Sequence, residues 1–407
     1  MEVLRRIRGE SGGFHSPLPA RAMLAMAAVF GLATGLAVGL TAARWSTLWK
    51  PGVRTPALAL PTLALELKFK HIQKLRDRRA GWLAAGERTA GSNGNVPATL
   101  RYNGRSFPAE IALHGGVEPD SRGDGLGRLR VHLAAAGDVA GMRRFVVDDP
   151  QRPELVRERV LAEALRMMGL PAPRATGALL EIDAKAAGAV VLVEVPDTAT
   201  MSVRPGAVLL GWDPTPVADA PADAWTWADP ATLEPRAEGT AGVAVQGPAW
   251  WRGRALLQGL ASGDLPPELA VDVTATALTL AVAEAAGTPE AFDWTAVRWL
   301  LAADSAGLVP LVRPQSAQNG RSATAGRMVE RLLQSATFRT TFGAARRLVA
   351  TALQEPAKFD ALAQRVAAAL PGADAAVVQR ETLALRARAR SIAAHANSNA
   401  RGRQAPP

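Results

Sequence analysis

Hydrophobic and polar positions alternate most clearly in "PATLRYNGRSFPAEIALHG", residues 97–115. Phe107, Ala109, Ile111 and Leu113 recur at every second position behind Asn103-Gly104, a pair that tolerates φ > 0 and favours a two-residue hairpin turn. "GRLRVHL" (127–133) predicts a further strand, and "GALLEIDAKAAGAVVLVEV" (177–195) a second hairpin. Leu63, Leu65, Leu67 and Phe69 alternate in the same way. Residues 70–85 follow as a basic amphipathic helix with Ile72, Leu75, Trp82 and Leu83 on or near one side. Residues 154–168 predict a helix with Val156, Val160, Leu161, Leu165 and Met168 inward, Gly169 at its C-terminal cap and Pro171 beyond. A helical pattern returns over 253–288. A third hairpin then runs from Trp294 to Ala302, turns at Asp304-Ser305-Ala306-Gly307 and continues from Leu308 to Val312. Residues 324–395 read as several helices. Strands and hairpins thus precede helices, which is the order of an α+β chain.

Residues 196–252 interrupt this pattern with eight prolines, five of the ten tryptophans and little periodicity, and read as an irregular excursion. Near the N-terminus, 22 residues between Arg21 and Arg44 carry no charge. As a helix they would span about 33 Å, enough for a bilayer core. Trp45 and Trp49 follow, where interfacial aromatics belong. Arg5, Arg6, Arg8 and Arg21 favour a cytoplasmic N-terminus, although Arg44, Lys50 and Arg54 weigh the other way. The alternative is a cleaved signal peptide, whose apolar stretch is shorter. The expected organisation is a cytoplasmic tail (1–21), a transmembrane helix (22–43) and a linker (44–62). A main domain (63–355), C-terminal helices (356–395) and a disordered tail (396–407) follow. The main domain would lie outside the cytoplasm, tethered to the inner membrane. Gly31, Gly35 and Gly39 form a small-residue ridge suited to a homodimer of such helices, or reflect only a glycine-rich composition.

The net charge of +10 raises nucleic acid as a partner, but its distribution argues against one. Residues 1–54 carry +5 and residues 379–407 carry another +5, so the body between them is neutral. A binder of phosphate backbones needs its cations on the folded surface. The chain has no cysteine, which excludes disulfides, thiolate metal sites and cysteine nucleophiles.

Several short motifs fail on context. Gly9-Glu10-Ser11-Gly12-Gly13 spells GxSxG without the strand–turn–helix of a nucleophile elbow. "GDGLG" (Gly123 to Gly127) lacks both the spacing and the lysine of a phosphate loop. The five histidines have no metal-ligand spacing. Asp148-Asp149 precede a helix and read as its N-terminal cap.

Taken in order, residues 63 to about 355 resemble the CotH family, the spore-coat protein H-like atypical kinases of bacterial envelopes. The similar segments are "PATLRYNGRSFPAEIALHGG", "GRLRVHL" with Arg130, "GMRRFVVDDPQRPELVRERVLAEALRMMGLPAPRA" and "GAVVLVEVPD". "RALLQGLASGDLPPELAVDVTATALTLAVAEAAG", "FDWTAVRW…GLVPLVRP" and "MVERLLQSATFRTTF" complete the series. The resemblance implies a distantly kinase-like α+β domain that transfers phosphoryl groups from ATP with a divalent metal. Such chemistry needs carboxylates for the metal and cations for the developing charge. The implied metal ligands are Asp293, Asp149 and Glu194. Arg298 and Arg130 would face phosphates, with Glu194 and Arg130 holding the nucleotide.

The chain departs from the family where that need is greatest. The family's lysine falls at His114 and a nearby aspartate at Gly116, and its Lys-Trp-Ser has become Leu126-Gly127-Arg128. An asparagine is replaced by Ala296, an aspartate at the strand end by Pro314 beside Arg313, and one of two adjacent glutamates by Val193. Two readings follow. The first is a catalytically impaired module that binds or scaffolds an envelope protein and takes no cofactor. The second is an active ATP- and Mg²⁺-dependent kinase. The departures favour the first.

Overall fold

The computed structural model describes residues 60–85, 94–114, 126–134, 137–196, 207–212, 235–237, 247–288, 292, 297–302, 305–312 and 323–402. Strand β1 (Thr62–Glu66) leads into helix α1 (Phe69–Ala85), and β2 (Val96–Tyr102) and β3 (Arg105–Leu113) form the expected hairpin. Asn103 and Gly104 both have positive φ, 49° and 73°, as that turn requires. Then come β4 (Leu129–Leu133), β5 (Arg144–Asp148), helix α2 (Pro153–Met167), β6 (Ala175–Ile182) and β7 (Lys185–Glu194).

These seven strands close into a barrel in the order β1-β2-β3-β4-β5-β7-β6. All neighbours are antiparallel except β1 and β6, whose parallel pairing (Leu63 opposite Leu180) completes the ring. This corrects the kinase-like arrangement of separate hairpins followed by helices. Each hairpin forms, but closure removes the free edges that an open sheet would leave. Alternation along each strand fills the interior with Leu63, Leu65, Leu100, Ile111, Val131, Phe145, Val147 and Leu192. Helix α1 lays Ile72, Leu75 and Trp82 against this core. Leu83 and Phe69, both expected inward, are exposed, Phe69 by 76%. The strand ends before Phe69, so its alternation with Leu67 is broken by the turn into the helix.

A second, larger core lies among the helices. It is built by α3 (Pro248–Ser262), α4 (Pro267–Ala270), α5 (Val273–Ala286), α6 (Ala323–Gln334), α7 (Ala336–Gln354), α8 (Pro356–Ala369) and α9 (Ala375–Gly402). Helix α5 is apolar nearly all round. The Asp272 side chain caps it by accepting from the Ala275 N–H at 2.9 Å, and Gly287 ends it at φ 72°. Helix α9 continues to Gly402, through much of the tail expected to be disordered.

The third hairpin is present as β10 (Val297–Leu301) and β11 (Val309–Val312). Two strands from the segment read as irregular, β8 (Val208–Trp212) and β9 (Pro235–Ala237), join it in the order β11-β10-β8-β9. Every residue of β10 and β11 is buried, so neither shows the alternation of a half-exposed strand. At the turn, Gly307 passes against the backbone before α5. A Cβ there would lie 2.6 Å from the Val271 carbonyl carbon and 2.8 Å from the Asp272 nitrogen. Gly307→Ala is expected to cost about 1–3 kcal/mol by overpacking, read as a lower urea midpoint at unchanged slope. An unchanged midpoint would mean that the contact yields freely.

Among the described residues, no helix is long and apolar enough to cross a membrane. The expected transmembrane helix (22–43) and its glycine ridge lie outside the described residues. A kinase-like domain behind such a helix is therefore not the architecture seen: the described chain is a barrel joined to a helical body.

Candidate functional site

The chemistry-bearing side chains collect where the barrel meets α2. Asp148, the last residue of β5, is buried, and both of its oxygens are engaged. Oδ1 accepts from the Asp149 N–H at 2.9 Å and from Arg152 Nε at 3.3 Å. Oδ2 accepts from Arg152 Nη2 at 3.0 Å and from Arg128 Nη2 at 2.9 Å. Arg128 reaches it because it immediately precedes β4, whose Leu129 lies opposite Val147. Four donors saturate a carboxylate. Arg152 also reaches Glu158 at 3.4 Å, which makes a quartet of two buried carboxylates and two partly exposed guanidiniums. Burial pushes the Glu158 carboxyl up to about 7. The nearby Arg152, Arg159 and Arg128 pull it down, and Asp148 adds to the rise.

A second pair closes the other side. Glu194, at the end of β7, accepts from the Arg174 N–H at 2.9 Å and Nε at 3.1 Å on one oxygen, and from Nη2 at 2.7 Å on the other. Arg174 immediately precedes β6, so this fork ties the residue entering the β6–β7 hairpin to the hairpin's last residue. The Glu194 N–H donates back to the Arg174 carbonyl at 2.8 Å. A bidentate, charge-assisted contact of this kind is among the stronger polar contacts in a protein.

Helix α2 supplies the remaining charges. The inward residues read from its periodicity are buried, but so are Glu158, Arg159 and Glu163. Its N-cap is Arg152, with no side-chain cap bond, so the cap expected from Asp148-Asp149 is absent. Asp148 takes the two arginines instead. Asp149 holds the turn by accepting from the Gln151 N–H at 2.9 Å.

The residues singled out from the sequence fall in different places. Glu194 lies opposite Phe145, at the other end of the β5–β7 pairing from Asp148, bound to Arg174 rather than placed beside Asp149. Arg130 lies on β4 between the inward Leu129 and Val131, hence on the barrel's outer face. Desolvation, then repulsion from Arg144, lowers its pKa. Arg298 belongs to the other sheet, on β10, where Gly211 of β8 leaves it room: a Cβ at Gly211 would lie 2.6 Å from Arg298 Cδ. Asp293, Ala296, Arg313 and Pro314 lie outside the described residues. Among the described residues, no three His, Cys, Asp or Glu side chains converge in a group fit for a metal ion. The residues missed were Arg128, Asp148, Arg152, Glu158, Arg159, Glu163 and Arg174. Their signal was charge at inward positions of α2 and at strand ends, which reads as solvated until the partners are known. No family model and no curated protein matches the chain.

Proposed function

We propose that this chain is a non-catalytic binding and scaffolding module. The observation that carries this reading is the engagement of the barrel-end carboxylates. Asp148 accepts four hydrogen bonds and Glu194 three, nearly all from arginines of the same chain. A divalent cation takes oxygen ligands from ionised carboxylates, and these would have to abandon buried partners first. As charge pairs they instead tie β4 and β5 to the start of α2 and close the β6–β7 hairpin on itself, which makes a braced platform. The departures at His114, Gly116, Ala296 and Pro314 point the same way.

The test is calorimetric titration of the full chain with ATP, with and without Mg²⁺. The expected result is that Mg²⁺ does not tighten binding. A metal-dependent gain of about tenfold or more, lost in Asp149→Asn, would overturn the reading. Asp149 is suited to this control because it lies in a half-buried turn rather than in the buried pairs.

A further inference from the structure

A groove of about 390 Å³ runs between the C-terminal end of α2 and one face of α8, lined by Arg166, Met167, Ala357, Lys358, Ala361 and Arg365. The α8 residues recur at helical spacing, so two alanines form an open floor between two long cations. Glu163, buried beneath, accepts from Arg166 with one oxygen and from Arg365 Nε with the other, at 3.1 Å for the latter. Lys358 Nζ lies 2.6 Å from Glu355.

Behind this wall stands Arg159, fully buried. Its Nη1 donates at 3.2 Å to the Pro173 carbonyl, which also accepts from Arg166. Among the described residues, its Nε and Nη2 have no hydrogen-bond partner. Burial, then repulsion from Arg166, pushes its pKa down to about 10. Arg159, Arg166, Lys358 and Arg365 stand against Glu163 and Glu355, so two positive charges are left over. The neighbouring quartet of Asp148, Glu158, Arg128 and Arg152 has equal numbers of carboxylates and guanidiniums, and although Glu158 and Asp148 attract Arg159 it adds no net negative charge. Two charges match a phosphate monoester, which carries about −1.5 to −2 near neutral pH.

We propose that this groove binds the phosphate of a phosphorylated small molecule. Lys358 and Arg365 are the clamps. Each is about half exposed and, among the described residues, is engaged by a single carboxylate, Glu355 and Glu163 respectively, although the side chains have three and five donors. Arg166 is held by Glu163 and the Pro173 carbonyl, and with Arg159 it contributes field rather than new contacts. This site is separate from the barrel-end carboxylates, and it holds or fails independently of the reading above.

The experiment is calorimetric titration of the full chain with inorganic phosphate and with glycerol phosphate, in the absence of nucleotide and metal. Saturable binding is expected, at least about fivefold weaker in Lys358→Ala and in Arg365→Ala. Both changes remove half-exposed side chains, so the fold is expected to survive them. Glu355→Gln deletes a competing charge and is expected to tighten binding by about twofold, which a merely structural role would not do. No saturable heat from either probe, or binding indifferent to Lys358→Ala, would overturn the proposal. If vesicles containing phosphatidic acid retain the wild type but not Lys358→Ala, the same phosphate chemistry is assigned to a lipid headgroup.

Discussion

Glu194→Ala is expected to lower the free energy of unfolding by about 3–5 kcal/mol, the cost of breaking a buried ion pair on one side only. The Glu194 side chain is fully buried and its partner Arg174 nearly so. Removing the carboxylate takes two bonds from the Arg174 guanidinium and one from its backbone N–H, with little solvent access to replace them. The measurement is urea unfolding, with the midpoint falling at constant slope. The paired change Arg174→Met with Glu194→Leu is expected to restore most of the loss, because two apolar side chains leave no buried charge. Together these variants separate the worth of the pair from the penalty of breaking it. A single variant costing under about 1 kcal/mol would show that the fork is solvated and would remove the braced platform from the proposed function.

The pH dependence of stability is expected to carry a negative contribution from Glu158. In the unfolded chain this carboxyl titrates near the ordinary 4.5, whereas burial raises it to about 7 in the folded protein. Below pH 4.5 it is protonated in both states and contributes nothing. Between these values the folded chain holds the extra proton, so stability falls as pH rises. Above about 7 both states are ionised and the penalty is constant. The drop is on the order of 3 kcal/mol across the window. The facing groups are Arg152 and Arg159 from α2 and its cap, Asp148 from β5 and Arg128 from the turn before β4. Glu158→Gln cannot ionise, so its stability should change less between pH 5 and 7.5 than that of the wild type. Equal slopes in the two proteins would mean that the arginines, and not burial, set the Glu158 proton affinity.

The candidate site was legible only in part. Glu194 was singled out from the sequence as a ligand of nucleotide and metal. Its partner Arg174 is 20 residues away and joins it only because β6 and β7 form a hairpin with Ala175 opposite Val193. Arg159 occupies a position on α2 that a charged side chain ordinarily leaves to water. Its burial depends on α8 and α9 packing over α2 from more than 190 residues further along. The resemblance gathered Arg130, Arg298 and Glu194 into one site, whereas the described strands place Arg298 in a different sheet from the other two.

Local pattern by itself determined the β2–β3 hairpin, the β6–β7 hairpin, the inward stripe of α2 and the succession of strands before helices. Each of these depends on alternation, a turn pair or a cap within a dozen or so residues. Closure of the barrel, entry of β8 and β9 into the second sheet and the pairing of the buried charges were decided by the tertiary structure. The parallel contact of β1 with β6 joins residues more than a hundred positions apart, and alternation records which face is buried without naming the strand alongside. Charged side chains carry still less of that information, because a carboxylate or guanidinium is stable in water and becomes an internal tie only when folding brings its counter-charge within hydrogen-bond distance.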